Sequence, residues 1–185
     1  LNASWGTDHA TFDTVQAVTR DPGQPAAYMD WVRWNNKRFS GFIEAMRSAV
    51  RRGDPDALTN VKLSNEAAVV GSLNHAFRPQ ATSRHNMGVD RFGLAQQLDI
   101  QGCDTRPTLH SPDYAFAWRY PGMAYDLQRS MAPNKPINDS EWHGVQTVYF
   151  ENPDQPAAFL HASLWFSYLH GMDMNVTWWW SRNGS

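Results

Sequence analysis

Apolar residues recur at three- and four-residue spacing between residues 28 and 50. Tyr28, Trp31, Val32, Phe39, Phe42, Ile43, Met46 and Val50 alternate with Arg33, Lys37, Arg38, Glu44 and Arg47, the stripe of an amphipathic helix lying on a core. The run from Asp21 to Pro25 reads as the loop before it and Gly53-Asp54-Pro55 as its stop. The first 24 residues have no clear period. Beyond the helix, Asn60 to Ser64 predicts a strand ending at Asn65 and Glu66, Asp90 to Gln97 a short helix, and Leu98 to Gln101 a second strand running into Gly102, Cys103 and Asp104. Residues 112–131 predict another helix, broken or kinked at Pro121 and Gly122. A third strand, Lys135 to Asn138, closes at Asp139, Ser140 and Glu141. A helix from Pro156 to His170 follows, capped by Asp154 and Gly171, and a last strand runs from Met174 to Trp180.

Strands near 60, 98, 135 and 174, each followed or preceded by a helix, have the rhythm of parallel βα units. The expected class is therefore α/β, of the (β/α)₈ barrel type. A complete barrel takes about 250 residues. The 185 residues present supply about four units, so residues 1–185 are expected to form a single barrel-type domain or its C-terminal half. A small open α/β sheet is the alternative. A half-barrel exposes one inner face and two sheet edges, and this predicts a homodimer or contact with a missing N-terminal half.

The 16 basic and 18 acidic residues give a net charge of -2, which lacks the basic excess of a nucleic-acid binder. No apolar run reaches the roughly 20 residues that span a bilayer, so no membrane contact is expected, and nothing in the chain selects a compartment. Cys103 is the single cysteine, and the seven histidines show no paired ligand spacing. Neither a metal nor another cofactor is expected. Nine Trp, six Tyr and nine Phe are rings for a core. Where they adjoin Asn, Asp, His and Arg they also suit a carbohydrate, which offers apolar C–H faces and hydroxyl edges.

In a parallel barrel the site collects at the C-terminal ends of the strands. There the sequence puts Asn65 and Glu66, then Asp104 and Arg106, then Asn138, Asp139, Glu141 and His143, and finally Trp178, Trp179, Trp180, Ser181 and Arg182. Carboxylates among amides and aromatics suit glycoside hydrolysis, in which one carboxyl group attacks the sugar and a second protonates the leaving oxygen. Trp178 and Trp180 share one face of a strand and Trp179 takes the other.

The segment Lys135-Pro-Ile-Asn-Asp-Ser-Glu141-Trp-His-Gly144 resembles the seventh strand of clan-A retaining glycoside hydrolases, which delivers the nucleophilic glutamate. Met174-Asn-Val-Thr-Trp-Trp-Trp180-Ser-Arg182 is similar to their eighth strand, which puts a Trp under the sugar. Leu1-Asn-Ala-Ser-Trp5-Gly-Thr7 and the helix bearing Trp31 and Phe39 resemble the stretch after the acid/base strand in family 42 β-galactosidase-like enzymes. The resemblance implies a retaining glycosidase acting on a β-galactoside-like substrate. It makes Glu141 the nucleophile, Asn65, Asp104, Asn138, His143 and Arg182 substrate or carboxylate-orienting contacts, and Trp178 or Trp180 the sugar platform. No cofactor is implied.

This register puts the family's acid/base glutamate upstream of Leu1, and the missing initiator Met agrees with a truncated chain. In a competing register, Asn65-Glu66 is itself the Asn-Glu pair and Glu66 the acid/base, although only one further strand is visible between Glu66 and Glu141 where the pattern needs two. A non-catalytic carbohydrate-binding or degenerate barrel fragment lacking the acid/base is the second functional reading.

Overall fold

A computed structural model of the protein describes residues 1–16, 24–64, 89–105, 118–143 and 156–177. A short helix α1 (Asn2–Trp5) and a 3₁₀ turn (Phe12–Thr14) precede the long helix α2 (Pro25–Gly53). Then follow β1 (Asn60–Ser64), α3 (Arg91–Gln97), β2 (Ile100–Asp104), α4 (Arg119–Met131), β3 (Ile137–Trp142), α5 (Pro156–Leu169) and β4 (Met174–Thr177). The strands form one parallel sheet in the order β1-β2-β3-β4. Four parallel strands in chain order, joined through helices, are half of a (β/α)₈ barrel. The α/β expectation holds.

Alternation along each strand divides the sheet into two faces. Val61, Leu63, Gln101, Cys103 and Ile137 face the helices and build two cores. Leu63 packs with Ile43, Leu94 and Leu98, while Cys103 and Ile137 pack with Tyr125, Trp142 and Met172. The other face carries Asn60, Lys62, Gly102, Asp104, Asn138, Met174 and Val176. Met174 and Val176 are exposed there.

The N-terminal edge of the sheet is closed by polar ties. Asp99 accepts hydrogen bonds from the Thr59 hydroxyl (2.6 Å), the Thr59 N–H (2.9 Å) and Arg51 (2.6 Å). These bonds hold its carboxyl well below the usual range, against the opposing effect of burial. Lys135 donates to the carbonyls of Ala95, Gln96 and Leu98 at 2.6–2.9 Å, filling the orphan acceptors at the end of α3. Asp173 accepts from the Ile137 N–H at 2.9 Å.

These ties explain where the strands depart from their sequence boundaries. Leu98 belongs to the helix-side core and Asp99 to the tie with Thr59, so β2 starts at Ile100 and ends on Asp104. Lys135 is a helix cap, so β3 starts at Ile137, keeps Asn138 and runs on through Asp139, Ser140 and Glu141 to Trp142; these last residues belong to the strand and do not close it. Pro121 breaks nothing. It is the third residue of α4, in the first turn, where its missing N–H has no intrahelical partner, and the Gly122 N–H already reaches the Trp118 carbonyl at 3.0 Å. Gly171 follows α5 with φ of +96°, the conformation that favours glycine there. The residues expected at Asp154 and at 178–180 lie outside those described.

Among the described residues one acid is buried on the helix side: Asp139 has no exposed surface. Burial raises its carboxyl to about 6, against the lowering effect of hydrogen bonds from Thr105 and Tyr125, with the charge of Asp104 adding to the rise. Because the folded chain then holds the proton more tightly than the unfolded chain, stability falls as pH rises from about 4 to 6, by roughly 3 kcal/mol. Urea midpoints measured across that window should drop in the wild type, and the part due to this residue should vanish in Asp139→Asn. The second prediction concerns Gly102, where a Cβ would collide with the Val61 carbonyl of β1. Gly102→Ala should cost about 1–3 kcal/mol in the same measurement.

Candidate functional site

The inner face owes its shape to a missing side chain. Lys62 on β1 pairs in register with Gly102 on β2, which pairs with Asn138 on β3. With no side chain at Gly102 to block it, Lys62 lies across β2 and its Nζ forms an ion pair with Glu141 Oε2 on β3. The Lys62 side chain is 44% exposed and that of Glu141 14%.

Glu141 owes its position to an irregularity. The register between β3 and β4 shifts between Asp139 and Trp142. Both of these residues lie on the helix side: Trp142 joins the core of Cys103 and Tyr125, and Asp139 meets Tyr125. Three residues apart on a regular strand they would face opposite ways. The extra residue therefore leaves both Ser140 and Glu141 to the inner side, as bulges do where a side chain must be re-aimed.

The second oxygen of Glu141, Oε1, lies 3.2 Å from His143 Nε2. The same nitrogen lies 3.2 Å from Asp104 Oδ1. His143 is buried, and its backbone N–H donates to the Thr105 carbonyl at 2.9 Å. Tyr120 Oη donates to the Asp104 carbonyl at 3.1 Å. The result is a row of ammonium, carboxylate, imidazole and carboxylate, with Lys62 reaching from the middle of β1 to the C-terminal ends of β3 and β2.

Donor atoms of Asp104, Glu141 and His143 fall within 4.8 Å of one another, close enough to suggest a cation site. The chemistry of the set opposes that reading. An ammonium already neutralises Glu141, and the one imidazole nitrogen near the acids is shared between them. A metal would have to displace Lys62 and overcome its repulsion. The row is a hydrogen-bonded charge network.

Of the residues singled out in the sequence, Asp104, Glu141 and His143 thus converge. Asn138 lies beside them on the inner face, and its Oδ1 is buried without a hydrogen-bond partner among the described residues. Asn60 Nδ2, also on that face, has none there either. Asn65, Glu66, Trp178, Trp180 and Arg182 lie outside the described residues, as do Arg106, Trp179 and Ser181. Sequence reasoning missed Lys62, Thr105 and Tyr125 and gave Asp139 no task. For Lys62 a signal existed: in Asn60-Val-Lys-Leu-Ser64 the polar positions alternate with apolar ones, so a lysine on an inner strand shares the face of Asn60.

No family model and no curated protein matches the chain. Among solved structures it is similar to the apo exo-carrageenase GH42 from Bacteroides ovatus, with a TM-score of 0.75 and 24% sequence identity over 98% of this chain. The chain spans 25% of that protein's length. The likeness shows the fold, with the charge network at the end of the sheet where parallel barrels carry their sites.

Proposed function

We propose that the chain carries the nucleophile half of a retaining glycoside hydrolase site, with Glu141 as the nucleophile. One observation supports this above others. In a chain whose fold matches a GH42 glycoside hydrolase, a bulge turns a glutamate on the third strand to the inner face and sets it in a network of charged groups.

In this reading Glu141 attacks the anomeric carbon of the sugar and forms a glycosyl-enzyme, which water then hydrolyses. Attack requires a free oxygen. Lys62, half-exposed on its long stem, moves off Oε2 as substrate enters, while His143 steadies Oε1. Asp104 orients His143 and is not the acid/base, because the imidazole fills the space between the two carboxyl groups, where the sugar would have to lie. The acid/base is then Glu66 or a carboxylate outside this chain. Asn138 accepts from a sugar hydroxyl through its open Oδ1. Asn65, Trp178, Trp180 and Arg182 complete the sugar subsite, a β-galactoside-like ring being the substrate class. The exposed inner face with Met174 and Val176 is covered by further βα units, supplied by a second copy or by a preceding segment. The second reading, a carbohydrate-binding fragment without turnover, follows if no acid/base is present.

The test is intact mass after incubation with a panel of 2-deoxy-2-fluoro aryl glycosides, whose activated leaving groups need little acid help. A sugar-sized adduct is expected on the wild type and none on Glu141→Gln, with hydrolysis of aryl glycosides reduced at least on the order of 10³-fold in the variant. Absence of any adduct on folded wild-type protein rejects Glu141 as a nucleophile and favours the binding-only reading.

A further inference from the structure

Pairing between β2 and β3 ends at Cys103 and Asp139. Asp104, Glu141 and His143 all lie beyond that last pair, and the bulge separates Glu141 and His143 from the regular part of β3. The ladder therefore does not set their spacing. The two strands are reconnected past its end through Thr105. On one side the Asp139 carboxylate grips it: Oδ1 accepts from the Thr105 N–H at 3.3 Å, and Oδ2 accepts from the Thr105 hydroxyl and from Tyr125 Oη, the latter at 2.7 Å. On the other side the Thr105 carbonyl accepts from the His143 N–H at 2.9 Å. Thr105 is thus held by a residue before the bulge and itself holds a residue after it. Its neighbour in the chain is Asp104.

We propose that Asp139 is a positioning residue that acts through Thr105, setting the distance from the His143 imidazole to the carboxylates of Glu141 and Asp104. Asp139 lies on the helix side of the sheet and touches no substrate. Its hydrogen bonds are also more numerous than a core needs: an apolar residue in that place would fill the space beside Tyr125 without burying a carboxyl group. A carboxylate is useful there because it accepts from a backbone N–H and two hydroxyls at once, which fixes Thr105 in both rotation and position. The kinetic consequence rests on the glycosidase reading; the geometric one does not.

Four variants separate positioning from mere stability. Thr105→Val keeps the shape and the N–H but removes the hydroxyl, whereas Thr105→Ser keeps the hydroxyl. Asp139→Asn keeps an acceptor for the N–H, and Asp139→Ala removes both. In folded protein, Thr105→Val and Asp139→Ala should lower kcat on aryl glycosides on the order of 10²-fold with KM nearly unchanged. Asp139→Asn should fall between, and Thr105→Ser should recover most of the loss. The imidazole resonances of His143 should move in Thr105→Val, while those of His170, bonded to Asp126 on the far side of α4, should stay. If Asp139→Ala fails to fold, Thr105→Val and Asp139→Asn decide the matter: wild-type kcat and unmoved His143 resonances in both overturn the proposal. If the wild type hydrolyses no glycoside, the glycosidase reading fails separately, and the His143 resonances alone uphold or overturn the positioning role.

Discussion

The site depends on how two neighbouring strands are kept in step after their hydrogen-bond ladder stops. A parallel ladder fixes the relative height of two strands only as far as it runs, and here it ends at Cys103 and Asp139. The residues that carry chemistry begin one position later. A bulge then adds a residue to β3, which gives Glu141 its direction and at the same time removes the regularity that would have placed it. The carboxylate of Asp139 and the two backbone bonds through Thr105 restore that order with side-chain chemistry. They cost stability to do so, since a carboxyl group without exposed surface is raised to about 6 by burial.

Charge on the inner face is arranged around the same point. A side chain at Gly102 would strike the Val61 carbonyl of β1 and stand between Lys62 and Glu141. The ammonium thus reaches across a whole strand to a carboxylate on the next one. Two acids near one imidazole would repel each other strongly in a partly buried setting. Lys62 and the hydrogen bonds of His143 make the cluster tolerable without filling it with apolar groups, and Lys62 remains exposed enough to leave.

Much of this was legible in the sequence, and what was not has physical causes. The four βα units follow from hydrophobic period and from breaks at Gly53-Asp54-Pro55 and Gly171, because burial on the helix side imposes a period on every element. Glu141, His143, Asp104 and Asn138 were legible as polar residues near strand ends. Their roles in the strands were not: Asp139 and Glu141 read as a polar exit from β3 although both belong to it. A buried acid satisfied by a hydroxyl 34 residues away leaves no periodic trace, and a bulge that lets Asp139 and Trp142 share a face mimics the end of a strand. Lys135 misled in the opposite sense, reading as the start of a strand when its task is to cap α3. Pro121 misled because a proline in the first turn of a helix looks, in sequence, like one in its middle.

The two ends of the sheet divide the work between them. At the N-terminal edge, Asp99, Lys135 and Asp173 each meet donors or acceptors that would otherwise be orphaned, and Asp99 is held well below the usual carboxylate range. For Asp99 those bonds favour the charged group in the folded state. At the C-terminal end the signs reverse: Asp139 is raised by burial, the Cys103 thiol is pushed up beside it, and Tyr125 is pushed up as well. A sheet tied firmly at one end can carry such a burden at the other, because parallel strands fixed at their starts transmit their register up the ladder to the last pair. Between β2 and β3 that transmission stops after Cys103 and Asp139, and the buried carboxylate becomes the means by which Glu141 and His143 are held to Asp104.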